Sequence, residues 1–205
     1  MESDEPILTP ELIDLIKAVG YNFCTSGYDA VLLDEARRSA ERAKDAGKSD
    51  QHNAEWGATA SAVLCATAAC EARVSEYLAH WEFASGELTP ELEAIRRSWD
   101  AKEQWRLLLR DRAPSYLPGA SQEYLCLGCL IRLRDLVAHR NARLRPIGMV
   151  PSQILDCVRQ GIIPVLESGG SDWPSIVLVS PVAAWAVNTA EKWLKVADML
   201  VPLHC

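Results

Sequence analysis

A chain of 205 residues, 49% hydrophobic and 24% charged, has the size and composition of one globular domain with a sizeable core, which excludes a disordered or low-complexity protein. Its formal net charge of −7 excludes a general coating of nucleic acid, because unspecific binding needs a basic surface to neutralise phosphate. No run of about 18 apolar residues exists to span a bilayer, and the opening MESDEPILTP has neither the basic nor the apolar region of a secretory signal, so no membrane partner and a cytoplasmic location are expected.

In chain order, Thr9-Pro10-Glu11 opens a short helix through Val19, and a more polar helix runs from Asp29 to Ala46, stopped by Gly47. Trp56, Ala60, Val63, Thr67, Cys70, Val74, Tyr77 and Trp81 then alternate at spacings of four and three, which predicts one long helix over roughly 53–83. Thr89-Pro90-Glu91 supplies a cap and a first-turn proline for a second helix, marked by Leu92, Ile95, Trp99 and Leu109 and ending before Pro114. Ser121 caps a third, with Cys126, Leu130, Leu133 and Val137 as its buried stripe.

The stretch 146–179 is punctuated by glycine and proline and reads as an irregular insertion, with one short helix near Ser152 to Gln160 and short strands at Ile162 to Leu166 and Ile176 to Val179. Ser180-Pro181 repeats the signal of a cap followed by proline, and Val182, Ala186, Thr189, Trp193, Val196 and Leu200 continue at helical spacing to Pro202. The sum is an all-α fold in a single domain, 1–205. It is a bundle of four long core helices (about 54–141 plus 180–201) with extra N-terminal helices and the insertion before the last helix.

Seven cysteines, an odd number scattered through apolar segments, suit reduced thiols and core filler better than a disulfide framework. Cys126-Leu-Gly-Cys129 has the spacing of a zinc or redox pair, but a structural zinc site wants two further ligands at matching spacing, and none follows. No metal and no cofactor are expected. Gly169-Gly170 reads as a turn, and His52, His80 and His204 have no motif around them.

Charge is segregated along the chain. From Ala101 to Arg145 there are nine Lys/Arg against four Asp/Glu, and RLRDLVAHRNARLRP, residues 132–146, gathers five arginines, one aspartate and one of only four histidines at a helix end. At about 100° per residue, Asp135 and His139 share a face of the third helix, with Arg134 between that face and the buried stripe. An Asp one turn before a His orients the imidazole and favours its protonated form, and a guanidinium holds phosphate through two parallel hydrogen bonds. Those groups suffice for metal-independent phosphodiester cleavage. Arg134 and His139 are about 140° apart on an ideal helix, so a second copy of the helix, in a two-fold dimer, is the arrangement that brings both onto one phosphate. A solvated helix end, whose cations favour the C-terminal dipole, accounts for the same arginines without catalysis.

Arg134-Asp135-Leu136-Val137-Ala138-His139 resembles the signature of the HEPN superfamily, an arginine, a polar residue, three variable residues and a histidine. The long helix SAVLCATAACEARVSEYL resembles the first core helix of these all-helical proteins, and the likeness covers roughly 54–200. It implies a homodimeric, metal-independent endoribonuclease of toxin–antitoxin, antiphage or RNA-processing type, with RNA as substrate and an antitoxin or regulatory protein as a further partner. Arg134, Asp135 and His139 would be catalytic, Arg132, Arg140, Asn141 and Arg143 would contact RNA, and Glu71 would face the motif as a supporting carboxylate. Glu71 reads equally well as a helix-packing carboxylate paired with an arginine. Members modified by a partner nucleotidyltransferase often carry His-x-Tyr, whereas Asn141 stands at the tyrosine position here. Members without activity also occur, which leaves a non-catalytic dimerisation or protein- or RNA-binding module as the alternative.

Overall fold

The computed structural model describes residues 27–85, 90, 93–94, 101–138, 150–165 and 173–201. These form an all-helical assembly: α1 (Tyr28–Lys48), α2 (His52–Ser85), α3 (Ala101–Arg112), α4 (Gln122–Ala138), α5 (Ser152–Arg159), α6 (Trp173–Val177) and α7 (Ser180–Leu200), with a 3-10 turn at Pro118–Ala120. The helix expected from Thr9 to Val19 and the Gly169-Gly170 turn lie outside the described residues.

The 34-residue α2 is the central strut. It contains no proline, and its one glycine, Gly57, stands exposed, so nothing interrupts the helix. Along it Thr59, Val63, Ala66, Thr67, Cys70, Val74 and Tyr77 are buried, close to the stripe read from the sequence. Small side chains at this seam let neighbouring helices approach closely. α1 folds back along α2, α7 packs on both, and α4 packs on α2 and α7, with α3 against α2 and α4. The polar α1 is therefore a full bundle member, burying Leu33, Ala36 and Ala43.

Gly47 does not stop α1, which continues to Lys48; the left-handed residue of the turn is Asp50, at φ 57°. What Gly47 permits is a close approach: a Cβ there would lie 2.8 Å from Glu55 Oε1. Glu55, in the first turn of α2, is 7% exposed and accepts the backbone N–H of Ser180 at 2.8 Å. It thus satisfies one orphan amide at the start of α7, where Val179 occupies the cap position and provides no side-chain bond. In α4 the expected cap is present, with the Tyr124 amide donating to Ser121 Oγ at 3.3 Å.

Three aromatic rings meet where α2, α3 and α7 converge. Trp105 stands edge-on to Trp193, centroids 5.2 Å apart at 88°, and to Tyr77 at 5.9 Å and 81°. Tyr124 of α4 closes the cluster against Trp193 at 5.5 Å. Edge-to-face rings pair a positive rim with a negative face, adding to the burial of all four side chains.

At one end of the bundle Arg73 gathers carboxylates from three helices. It donates to Asp29 of α1 and to Asp198 Oδ1 of α7 (2.5 Å), and its Nε lies 3.4 Å from Glu76 Oε2 of α2. The Tyr77 hydroxyl donates to the same Asp198 oxygen at 2.6 Å. The cation neutralises only part of this cluster, and burial together with the Asp29 charge pushes the Glu76 carboxyl up from its ordinary range.

Two further sequence expectations are corrected. No strand occurs among the described residues: 162–165 has no regular structure, and Ile176 lies in α6, which is followed by bends at Leu178 and Val179. A four-residue apolar run fits a buried helical turn as well as a strand, and Pro174 in the first turn favours the helix. The cysteines also are not all reduced filler. Cys129 of α4 and Cys157 of α5, 28 residues apart, form a disulfide with a Cα–Cα separation of 6.0 Å. Sequence spacing carries no sign of this pairing, because it arises only when α5 folds back onto α4. Cys65, Cys70 and Cys126 are free thiols, and Cys24 and Cys205 lie outside the described residues.

Candidate functional site

Residues Arg134 to Ala138 of the motif lie on α4, which is buried almost all round at its middle (Leu127, Gly128, Cys129, Leu130 and Ile131) and exposes side chains again only in its last turns. Leu133 remains in the core, which sets the rotation of the helix and carries its neighbour Arg134 to the edge of the α2–α4 contact. The Arg134 side chain is 23% exposed, and its guanidinium is held on two sides. Nη2 donates to Glu71 Oε1 of α2, and Nη1 lies 2.9 Å from Asp135 Oδ1. Arg134 Nε is buried with no hydrogen-bond partner among the described residues.

The structure therefore brings together three sequence-predicted residues, Arg134, Asp135 and Glu71. A carboxylate on the neighbouring helix fixes the guanidinium, while Asp135, half exposed, faces outward. Each terminal guanidinium nitrogen carries a second N–H, so a fork held this way keeps donor capacity for an anion. Arg132 is exposed and turns elsewhere, its Nη1 3.9 Å from Cys157 Sγ. His139, Arg140, Asn141 and Arg143 lie outside the described residues, which resume at Val150.

Sequence reasoning missed a cleft of about 280 Å³ at the same end of α4. Trp56 and Gly57 of α2, Val137 of α4, and Trp173 and Leu178 of the insertion line it, with Asn53 contributing a polar edge. Val137 is one turn beyond Arg134. Trp56 gave a signal as part of the helical stripe, but it is only partly buried; Trp173 stands alone in an irregular stretch and gave none.

Among the described residues no three His, Cys, Asp or Glu side chains converge to hold a metal ion, and no helix is long and apolar enough to cross a membrane. No protein-family model, curated protein or solved structure matches the chain.

Proposed function

We propose that this chain is a metal-independent endoribonuclease of HEPN type, working as a cytoplasmic homodimer whose two α4 helices contribute to one composite site. The observation that carries the reading is the Arg134 guanidinium, oriented by Glu71 and Asp135 at the end of α4, five residues before His139 in the sequence. The acidic chain places five arginines within residues 132–145, which supports a local phosphate contact rather than general nucleic-acid binding. The cleft walled by Trp56 and Trp173 adds aromatic surface of the kind on which unpaired bases stack.

In this reading the ribose 2′-OH gives its proton to His139 and attacks the adjacent phosphorus. The 5′-oxygen departs with a proton, leaving a 2′,3′-cyclic phosphate and a 5′-hydroxyl. Arg134 stabilises the charge that builds on the phosphate oxygens, and His139 supplies acid–base catalysis, typically about 10²–10⁴-fold. Arg132, Arg140, Asn141 and Arg143 contact the RNA backbone. Purified chain incubated with mixed RNA in EDTA should produce cyclic-phosphate ends, and His139→Ala should not; equal cleavage by that variant removes the proposal.

One observation favours a second reading. Two carboxylates already engage Arg134, so the same cluster serves to lock α4 against α2 in a non-catalytic module that dimerises or binds a protein partner. In that case Arg134→Ala weakens association or stability, and wild-type chain leaves RNA intact.

A further inference from the structure

Cys129 of α4 and Cys157 of α5 join the two helices, and a third cysteine, Cys126, lies one turn before Cys129 on α4. Cys129 and Cys157 are bonded and nearly sealed from solvent, 6% and 2% exposed, so an external thiol reaches their sulfurs poorly. Cys126 is a free, partly exposed thiol three residues before Cys129 on the same helix. At helical spacing their Cα atoms are about 5 Å apart, within the range that a disulfide bridges. On the far side, the Arg132 guanidinium lies 3.9 Å from Cys157 Sγ, where a cation favours the thiolate over the thiol.

We propose that Cys126, Cys129 and Cys157 form a thiol–disulfide exchange relay that releases α5 from α4. The Cys126 thiolate attacks Cys129 Sγ, a Cys126–Cys129 bond forms as the Cys129–Cys157 bond breaks, and Cys157 leaves as a thiolate beside Arg132. Cys126 yields its proton to solvent and Cys157 later takes one up, so no oxidant or reductant is consumed. Attack through Cys126 answers the burial of the bridge, and a leaving sulfur stabilised as thiolate departs faster.

The exchange is held back near neutral pH. Burial pushes the Cys126 thiol up from its ordinary range, and Glu123 adds to this, while the Gln122 amide, 3.5 Å away, and Lys192 of α7 act in the opposite direction. Raising the pH therefore starts the relay. Its consequence is local to the motif, because residues 130–156, including Arg134 and His139, lie between the bridged cysteines. A regulatory effect on RNA cleavage rests on the ribonuclease reading; the exchange itself does not.

The test is a disulfide map of the full chain, prepared without reductant, held at acidic or alkaline pH, quenched in acid, alkylated and digested for mass analysis. At acidic pH the Cys129–Cys157 peptide pair is expected. At alkaline pH a Cys126–Cys129 bonded peptide should appear together with alkylated Cys157. Cys126→Ser and Cys126→Ala should both lose that species and retain the original pair, and Arg132→Gln should slow its appearance. A Cys129–Cys157 bond that persists at alkaline pH with Cys126 alkylated overturns the relay, as does equal release of Cys157 in the Cys126 variants. Exchange observed in a chain that leaves RNA intact keeps the relay and removes only the nuclease reading.

Discussion

Arg134 of α4 donates to the Glu71 carboxylate of α2, and its other terminal nitrogen meets Asp135 at 2.9 Å. The first contact crosses between helices 63 residues apart in sequence, so it anchors the end of α4 as well as orienting the guanidinium. A double-mutant cycle of Arg134→Ala and Glu71→Ala, read by urea unfolding, should give a coupling of about 0.5–1.5 kcal/mol, because the pair is only partly exposed. Additive losses would mean that the two side chains do not support each other.

The aromatic cluster joins side chains of α2, α3, α4 and α7 in the core. Trp193 touches Trp105 and Tyr124 and is fully buried, so Trp193→Ala leaves a large void and should cost about 3–5 kcal/mol in chemical denaturation. Trp193→Phe keeps part of the ring contact and should cost less. A loss below about 1 kcal/mol for the alanine variant would contradict the packing described.

Glu55 supports α7 from a distance of 125 residues in sequence. Glu55→Ala should lower stability by about 1 kcal/mol, as the loss of an N-terminal capping acceptor does. Gly47→Ala should be destabilising as well, since its new methyl group meets Glu55 Oε1. In the double variant the Gly47→Ala penalty should shrink. Undiminished cost there would place the strain elsewhere.

Glu76 makes stability depend on pH in an unusual direction for a carboxylate. Burial and the Asp29 charge raise it, so the folded chain keeps this proton after the unfolded chain has lost its own. Between the ordinary carboxylate value and the raised one the native state binds more protons, and the contribution of Glu76 to stability falls as pH rises through that window. Glu76→Gln removes this part of the slope. Between acid and neutral pH the urea midpoint of the variant should gain relative to that of the wild type, and a constant difference would contradict the assignment.

Helices were legible where apolar residues recur over many turns, as along α2 and α7, since a long period is hard to imitate by chance. The same signal fails over four residues, which is why Ile176 to Val179 reads as a strand in the sequence but folds as the end of a helical turn and two bends. Arg134 and Asp135 were visible because they are adjacent in a short pattern that the sequence itself displays. Contacts made only by folding were not. Nothing near Glu55 announces an amide on α7, nothing near Cys157 announces Cys129, and Arg73 sits among alanines and glutamates with no hint that Asp29 and Asp198 arrive from both ends of the chain.

The proposed function assigns metal-independent RNA cleavage to the Arg134 cluster and the following histidine. Its most direct test is the time course of a 5′-labelled single-stranded RNA in EDTA with wild-type chain, Arg134→Ala and His139→Ala. The account predicts 2′,3′-cyclic phosphate products from the wild type and a loss of about 10²-fold or more in each variant. Intact RNA with the folded wild-type chain, or the same rate in all three, would contradict it.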